Sequence, residues 1–251
     1  MKIVAITQAR VGSNRLPAKV LKTIDGVSIL ELHIKRILKS KRISKLIVAT
    51  TEEPEAIAIC DICDESNVGY YRGSMNDVLD RYYKAALAEK PDYLVRITSD
   101  CPLIDANLID QIIDQAIASQ IDYISNGLVP CFPDGQDVEV FRFSALTKAW
   151  NEATLLSDRE HVTPYIWRNS TFKGGNLFSS LNFGVQGDYS SVRITLDEEQ
   201  DLKVISSLIE RLGMEATWLD YANLYLNDQT VSNQNSHITR NEGYIKSLDK
   251  D

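Results

Sequence analysis

The alternation of short apolar runs with amphipathic stretches over residues 1–126 constrains the fold more than any other feature of this chain. Apolar and β-branched runs predict strands at residues 3–6, 45–51, 68–71, 93–98 and 122–125. Helical periodicity predicts helices at 28–40, 53–66, 76–89 and 107–119. Strands that alternate with helices form a mostly parallel sheet with helices on both faces. We therefore expect an α/β fold with a mostly parallel central sheet.

The pattern is less regular after residue 126. Residues 126–137 are rich in Pro, Gly and Asn and predict a long loop. Beyond it we expect strands at 137–143 and 192–196, weak strand character at 176–185, and helices at 144–152, 160–168 and 198–212. No repeat or linker divides the chain. We assign one domain to residues 1–222 and a polar C-terminal extension to 223–251, packed on the domain or forming a dimer contact. An arm over the active site is a less favoured alternative, because a polar tail has few means to fold alone.

Composition narrows the class of function. The 251 residues carry a net charge of −8, which argues against general binding to nucleic acid or an anionic membrane. No apolar run is long enough to span a bilayer, and the start lacks a signal-peptide pattern, so we expect a cytoplasmic protein. Cys60 and Cys63 lie in an apolar helical run, where packing is a better interpretation than zinc or redox chemistry.

A basic loop, residues 8–21, follows the first predicted strand and reads QARVGSNRLPAKVL. It carries Arg10, Arg15 and Lys19 around a turn at Gly12 and Ser13. Backbone N–H groups near a glycine and flanking cations suit a polyanion such as a triphosphate. Open α/β sheets bind ligands at the carboxyl ends of their strands, where this loop begins. A solvated basic loop is the alternative.

Two aspartates follow predicted strands. Asp100 comes after the strand at 93–98, in SDCPLID, and Asp197 follows the strand at 192–196. Two such carboxylates can converge on one Mg²⁺, which takes one or two carboxylates together with phosphate oxygens. The alternative is that Asp197 or Glu198, like Asp105, only caps the next helix.

Six motifs together carry a resemblance to a known family: QARxGSxRLPxKVL, RGSxxDVLDRYY, RITxDCPLID, PDGxDVEVF, REHVTPYI and RITLDxxxDL. In this order and spacing the chain resembles the SpsF-type spore-coat polysaccharide cytidylyltransferases, which are related to the acylneuraminate and 3-deoxy-manno-octulosonate cytidylyltransferases. The resemblance covers residues 2–212, and NSHxxRNEGYxxSL matches the tail of longer members. It implies a single nucleotide-diphospho-sugar-transferase-like (Rossmann-like) domain that transfers CMP from CTP to a sugar acid with Mg²⁺ and releases pyrophosphate. We also expect a homodimer and a role in surface polysaccharide synthesis.

The resemblance assigns roles to individual residues. The nucleotide-binding set is Ala9, Arg10, Gly12, Ser13, Arg15, Lys19, Arg72, Ser74 and Asp77. Arg10, Arg15, Lys19 and Asp100 form the catalytic set, and Asp100 and Asp197 are the metal ligands. The chain departs from the family pattern at Asn14, Ala18, Ser99 and Glu198–Glu199, without loss of a charged group.

The acceptor side is expected to involve Asn126, Asp134, Asp137, Glu139 and His161. The carboxylates can bind sugar hydroxyls, and alternation in DVEVF places Asp137 and Glu139 on one face. His161 can bind a carboxylate or take a proton; a helix-surface histidine is its alternative.

Three further functions stay open at this point. A glycosyltransferase of similar fold would use a nucleotide sugar, although the usual DxD motif is absent near Asp100. The second is a cytidylyltransferase that acts on a small phosphorylated acceptor, and the third is a nucleotide-sensing module without enzymatic activity. The sequence suggests no protein nucleophile.

Overall fold

A computed structural model of the protein describes residues 1–13, 15–249 and 251, in which strands and helices alternate. The strands are β1 (Ile3–Gln8), β2 (Thr23–Ile24), β3 (Val27–Ser28), β4 (Lys45–Thr51), β5 (Gly69–Gly73), β6 (Tyr93–Thr98), β7 (Tyr123–Ser125), β8 (Glu139–Arg142) and β9 (Ser180–Asn182). The helices are α1 (Ile29–Ile37), α2 (Ile57–Glu65), α3 (Val78–Leu87), α4 (Ala106–Ser119), α5 (Phe143–Glu152), α6 (Leu156–His161), α7 (Pro164–Arg168), α8 (Glu199–Leu212), α9 (Trp218–Asn227), α10 (Gln229–Ser232) and α11 (Glu242–Leu248).

The main sheet has the strand order β5-β4-β1-β6-β8-β7-β9. β1 pairs in parallel with β4 and β6, and β4 pairs in parallel with β5. β8 runs antiparallel to both β6 and β7, while β7 and β9 are parallel. The predicted mostly parallel sheet is confirmed. β2 and β3 form a separate small hairpin that the sequence analysis did not anticipate.

Side chains of the central strands alternate between two buried layers. Ala5 of β1 packs on one face with residues of α1, α2 and α4, and Ile6 packs on the other face with α3 and α5. A third cluster joins α8 and α9 to Leu16 of the basic loop. The helices thus cover both faces and anchor the loop that follows β1.

Local signals in the sequence placed several boundaries well. The predicted strands at 45–51 and 93–98 coincide with β4 and β6. The Ser28 side chain accepts a hydrogen bond from the N–H of Glu31 and caps α1, as expected. Cys60 and Cys63 are buried on α2, which confirms that they pack in a helix.

The predicted strand at 192–196 is wrong. This segment makes only an isolated bridge between Arg193 and Asp134. Its backbone groups bond to two loops instead: Ile194 donates to the carbonyl of Asp134 at 2.8 Å, and Leu196 donates to that of Asp100 at 2.7 Å. Asp197 therefore follows an extended segment that links two loops.

Four other boundaries need correction. The predicted helix at 160–168 is two helices, α6 and α7, because Val162 has a φ of 73° and Pro164 begins a new helix. The helix at 53–66 begins with a 3₁₀ turn, Pro54–Ala56. The strand at 137–143 is only β8, since α5 begins at Phe143, and the weak strand at 176–185 is only β9.

The C-terminal part of the chain is more structured than its polar sequence suggests. Residue 222, the predicted end of the domain, lies inside α9. Residues 233–249 and 251, called here the C-terminal strap, run back over the domain to α6, on which α11 packs. None of the helices in the described ranges combines the length and apolar content that crossing a bilayer requires.

Candidate functional site

The basic loop begins where β1 ends and turns back on itself. Ala9, which is buried, donates its N–H to the carbonyl of Ala49 at 3.1 Å, while Arg10 and Gly12 beyond it are exposed. The N–H of Ala18 donates to the carbonyl of Val11 at 3.1 Å. Ala18 adopts a φ of 54°, in the left-handed region that favours glycine. Asn14, the departure in this loop, lies outside the described residues.

Lys19 of the basic loop contacts both aspartates that are predicted to bind the metal. Its Nζ lies 3.0 Å from Oδ2 of Asp100 and 2.8 Å from Oδ1 of Asp197. It also donates to the carbonyl of Leu196 at 2.8 Å. The structure thus brings Lys19, Asp100 and Asp197 together at the carboxyl ends of β1 and β6, although Asp197 does not come from a strand.

The electrostatics of this triad follow from burial and charge. Burial lowers the pKa of Lys19, but the carboxylates of Asp100 and Asp197 outweigh burial, and the pKa is raised overall. Burial alone would raise the pKa of Asp100, yet the ammonium of Lys19 and the hydroxyl of Thr98 hold it well below its usual range. Lys19 and Asp100 therefore stay charged near neutral pH.

Arg15 joins the triad from the side of the loop. Its guanidinium lies 2.8 Å from Oδ1 of Asp197, 3.6 Å from Glu242 of the strap and 3.9 Å from Glu198. One third of the side chain is exposed, so Arg15 can reach a ligand without a change of the core. Two cations of the basic loop, Arg15 and Lys19, therefore contact the same aspartate, Asp197.

A buried ion network lies behind Asp197. Arg193, 5% exposed, pairs with Asp201 through Nε and one terminal nitrogen, each at 2.9 Å, and with Asp134 at 2.8 Å. Asp201 also accepts hydrogen bonds from the N–H groups of Asp197 and Glu198, both at 2.9 Å. Glu198 caps α8 in a capping box with Asp201. The cap expected from the alternative interpretation is thus Glu198, and the Asp201 carboxylate holds the backbone of Asp197.

Gly135 permits the turn that brings Asp134 to this network. Its φ is +106°, and a Cβ at this position would lie 2.7 Å from the backbone of Ile194 and Thr195. Only glycine fits so close to the segment at 192–196. Burial and the nearby carboxylate of Asp137 raise the pKa of Asp134 to about 7.

Asp137 faces the strap. Its Oδ1 accepts a hydrogen bond from Arg240 at 2.6 Å, and a second nitrogen of Arg240 donates to the carbonyl of Phe132 at 3.0 Å. Nε of Arg240 lies 4.0 Å from Oδ1 of Asp134. Asp134 and Asp137, both predicted on the acceptor side, therefore lie together around one arginine.

Two other residues of the predicted acceptor set have structural contacts. Asn126, which is buried, donates to the carbonyl of Gln136 at 2.7 Å and accepts from the N–H of Val138 at 2.8 Å. Glu139, the first residue of β8, pairs with Arg96 and accepts hydrogen bonds from the hydroxyls of Tyr123 and Thr163. Their expected contact with an acceptor stays a prediction, and their partners show how they hold the sheet and loop in place.

His161 ends α6 and touches the strap. Its Nε2 and the hydroxyl of Ser247 form a hydrogen bond of 2.9 Å, and its ring meets that of Tyr244 edge to face at 5.1 Å. His33, in contrast, is fully buried between Thr7 and the carbonyl of Cys101, each at 2.9 Å. These contacts give His33 a structural role within α1.

The predicted nucleotide segment after β5 has its own contacts. Arg72 donates to the carbonyls of Thr51, Glu52 and Glu53 and so holds the turn that follows β4. Asp77 caps α3 and pairs with Arg159 of α6 at 2.6 Å. The Ser74 hydroxyl accepts from the N–H of Asp77 at 3.2 Å, and Ser13 similarly caps a turn within the basic loop. The nucleotide-binding roles of these four residues stay predictions.

Three residues of the site have no role in the predictions from sequence: Arg193, Asp201 and Arg240. Asp201 follows Glu198 at the spacing of a capping box, so a helix-start signal was present. Arg193 lies in the same motif as Asp197, but the motif does not indicate that Arg193 is buried and pairs with carboxylates. Arg240 lies in a polar tail, where no periodic signal marks it.

The donor set suits a divalent cation. Two carboxylate oxygens and one carbonyl already surround a positive charge, the ammonium of Lys19. Within the described residues, no group of three or more His, Cys, Asp or Glu could hold a metal. A cation bound by Asp100 and Asp197 would therefore need further oxygens from water or a phosphate, as Mg²⁺ commonly does.

Comparisons with known proteins show the family of this chain. The model of the family described as "Cytidylyltransferase" matches residues 4–218. The chain is 28% identical to the spore coat polysaccharide biosynthesis protein SpsF of Bacillus subtilis, over 84% of this chain and 88% of that protein. It is 33% identical to a 3-deoxy-manno-octulosonate cytidylyltransferase of Geotalea daltonii, over 86% and 94%.

A solved structure supports the same assignment. A cytidylyltransferase from Leptospira borgpetersenii superposes with a TM-score of 0.88 at 32% identity and covers 96% of this chain and 100% of its own. The fold is therefore that of the nucleotide-diphospho-sugar transferases, as expected. On this similarity and on the family match over most of its length, the chain is a nucleotidyltransferase that belongs to the cytidylyltransferase family, as an SpsF-type member related to the 3-deoxy-manno-octulosonate enzymes.

Proposed function

We propose that this enzyme transfers CMP from CTP to a sugar acid and releases pyrophosphate, as a step in surface polysaccharide synthesis. The family match supports CTP as the donor. The relative from Geotalea daltonii, named for a sugar acid, supports the acceptor class, and SpsF supports the polysaccharide role. A homodimer and a cytoplasmic location remain part of the proposal and rest on the family resemblance and the sequence alone.

The observation that carries the proposal is the position of Lys19 between Asp100 and Asp197. An ammonium and two carboxylates at the carboxyl edge of a parallel sheet place opposite charges where a nucleotide binds in such folds. A triphosphate with a divalent cation has the complementary pattern. The cation can take the two carboxylates while Lys19 turns to a phosphate oxygen.

In this proposal the basic loop holds the leaving group. Arg10, Arg15 and Lys19 bind the β- and γ-phosphates and balance the charge that gathers on departing pyrophosphate. Asp100 and Asp197 hold Mg²⁺, which neutralises phosphate charge when bound. No protein nucleophile is needed, because positioning and electrostatic stabilisation suffice for in-line transfer.

The acceptor approaches from the side of Asp134 and Asp137. Both carboxylates can accept hydrogen bonds from sugar hydroxyls, and both lie within one ion network with Asp197 through Arg193 and Arg240. Asn126 and Glu139 support this side from the buried layer below.

The test is release of pyrophosphate. The enzyme is given CTP, UTP, ATP or GTP with Mg²⁺ and 3-deoxy-manno-octulosonate or N-acetylneuraminate. We expect release with CTP and at least one sugar acid, and its near abolition in Asp100→Asn and Asp197→Asn. Preference for another nucleotide, or full activity in both variants, would refute the proposal.

A further inference from the structure

The C-terminal strap reaches the site at three points. Asn235, which is buried, donates to Asp201 at 2.9 Å and to the carbonyl of Arg193 at 3.1 Å. Further along, Arg240 contacts Asp137, and Glu242 lies 3.6 Å from Arg15. The strap is thus tied to the ion network, the acceptor side and the basic loop in turn.

The far end of the strap is tied to α6. Ser247 bonds to His161, and Asp251 accepts from the N–H and hydroxyl of Ser157 at 2.8 and 2.5 Å. With Asn235 at one end and Asp251 at the other, the segment between them is held across the site. Arg240 is therefore held at its position by contacts on both sides.

Arg193 and Arg240, which lie next to Asp134 and Asp137, differ in how many of their hydrogen-bond donors have partners among the described residues. Arg193 uses Nε and both terminal nitrogens in bonds to Asp201 and Asp134. Arg240 uses both terminal nitrogens, but its buried Nε has no hydrogen-bond partner among the described residues. A buried donor without a partner is costly, so it indicates a missing acceptor of hydrogen bonds.

The chemistry of that missing partner follows from the guanidinium. Nε and a terminal nitrogen form the fork that binds a carboxylate or phosphate through two parallel hydrogen bonds. Asp137 now occupies one arm of this fork, and its side chain is 36% exposed, so it can move aside. A ligand anion can then replace it.

We propose that the strap is part of the active site and that Arg240 binds the negatively charged group of the acceptor. The inference rests on the proposed function and deepens it, because it names the residue that recognises an acid. Asp134 and Asp137 then remain for the neutral hydroxyls of the same molecule. A carboxylate and a phosphate share this chemistry, and the experiment separates them.

The experiment compares wild type with Arg240→Gln and Arg240→Lys. Arg42→Gln is the matched control, since Arg42 precedes the amino end of β4 and makes an exposed ion pair with Asp114 of α4. Acceptors are two sugar acids (3-deoxy-manno-octulosonate and N-acetylneuraminate), glycerol 3-phosphate, and the neutral sugar N-acetylmannosamine. Pyrophosphate release gives KM and kcat, calorimetry gives CTP affinity, and thermal unfolding verifies the fold.

We expect the acceptor KM to rise about ten- to a hundred-fold in Arg240→Gln, because a charged hydrogen-bond pair is lost. Arg240→Lys should restore only part of the wild-type acceptor affinity, and Arg42→Gln should have the same acceptor KM as wild type. CTP affinity should change less than about two-fold in all variants, which is well below the change that the loss of one charged contact causes. Use of sugar acids or of glycerol 3-phosphate by wild type identifies the anion as carboxylate or phosphate.

Several results would overturn the inference. An unchanged KM for an anionic acceptor in Arg240→Gln would do so, as would use of the neutral sugar alone, and both would leave CMP transfer intact. Loss of CTP affinity in Arg240→Gln would place Arg240 on the nucleotide side. CTP binding without turnover of any acceptor would refute both the acceptor class and this role of Arg240. Failure of wild type to bind CTP would refute the proposed function itself.

Discussion

Lys19 shows how one side chain can prepare a site for a ligand of the opposite charge. Its ammonium neutralises two carboxylates that would otherwise repel each other and a triphosphate. The side chain is only 13% exposed, so its charge acts in a medium that screens it less than bulk water does. Removing it should affect ligand binding more than removing a neighbouring surface lysine.

We predict that Lys19→Ala weakens CTP binding by about ten- to a hundred-fold, since one charged contact is lost. Lys22→Ala is the control, because the side chain of Lys22 makes a long, exposed pair with Glu199 at 3.7 Å. Calorimetric titration with CTP and Mg²⁺ measures both. Equal affinities in the two variants would mean that Lys19 only holds the aspartates together.

His33 gives the protein a pH-dependent stability. Burial lowers its pKa from 6.5 to about 4, with Arg36 also lowering it and the carbonyl of Cys101 and Asp100 opposing. The unfolded state therefore binds one more proton than the folded state between pH 6.5 and 4. The stability from a neutral His33 is complete above pH 6.5 and is lost as pH falls to 4.

His33→Gln should accordingly flatten the pH dependence of the free energy of unfolding between pH 4 and 6.5. The difference in slope should approach about 1.4 kcal/mol per pH unit, the value for one proton. Urea unfolding at several pH values measures it. Parallel curves for wild type and variant would contradict the assignment of this proton to His33.

At the scale of elements, β8 holds the acceptor side against the middle of the sheet. It runs antiparallel to β6, and Glu139 at its start pairs with Arg96 directly across the strands. Both side chains are nearly buried, at 12% and 14% exposed. Breaking such a pair leaves one buried charge without compensation.

Glu139→Ala should therefore lower the free energy of unfolding by about 3–5 kcal/mol, through the unpaired Arg96. Glu31→Ala, which loses an exposed pair with Lys35 and a hydrogen bond to the backbone of Ser28, should cost less, about 1 kcal/mol. Urea denaturation compares the two. A stable Glu139→Ala variant with a raised acceptor KM would instead show direct contact of Glu139 with the acceptor.

Across the whole molecule, three buried clusters converge on the site. Two lie on the faces of the sheet, and the third joins α8 and α9 to the basic loop through Leu16. The strap then ties the third cluster to α6 on the other side. Its first anchor is Asn235, which bonds to Asp201 and to the hydroxyl of Tyr225.

Deletion of residues 233–251 should destabilise the fold by a few kcal/mol, because each buried partner left without its hydrogen bond costs about 1–3 kcal/mol. Deletion of 241–251 is the control, since it keeps Asn235 and Arg240 and removes mainly contacts nearer the surface. Thermal and urea unfolding of both forms tests this. An equal loss in the two would place the main anchor beyond residue 240.

Much of the fold was predictable from local sequence. The apolar runs of β1, β4 and β6 and the caps Ser28 and Asp105 act over a few residues, so pattern and side-chain chemistry reveal them. The failures lie where long-range partners decide. The segment at 192–196 has a strand-like sequence, but its hydrogen bonds go to Asp134 and Asp100, far away in the chain.

The site divides in the same way. Charge and spacing are local properties, so residue patterns alone predict a basic loop after the first strand and carboxylates at positions 100 and 197. The packing of distant segments brings both carboxylates to the ammonium of Lys19 and lets Arg193 join Asp134 to Asp201. It also brings Arg240 from a polar tail to Asp137, 103 residues away. A charged side chain in a polar segment can be hydrated in many positions. Its ion-pair partner is therefore selected by the packing of distant segments.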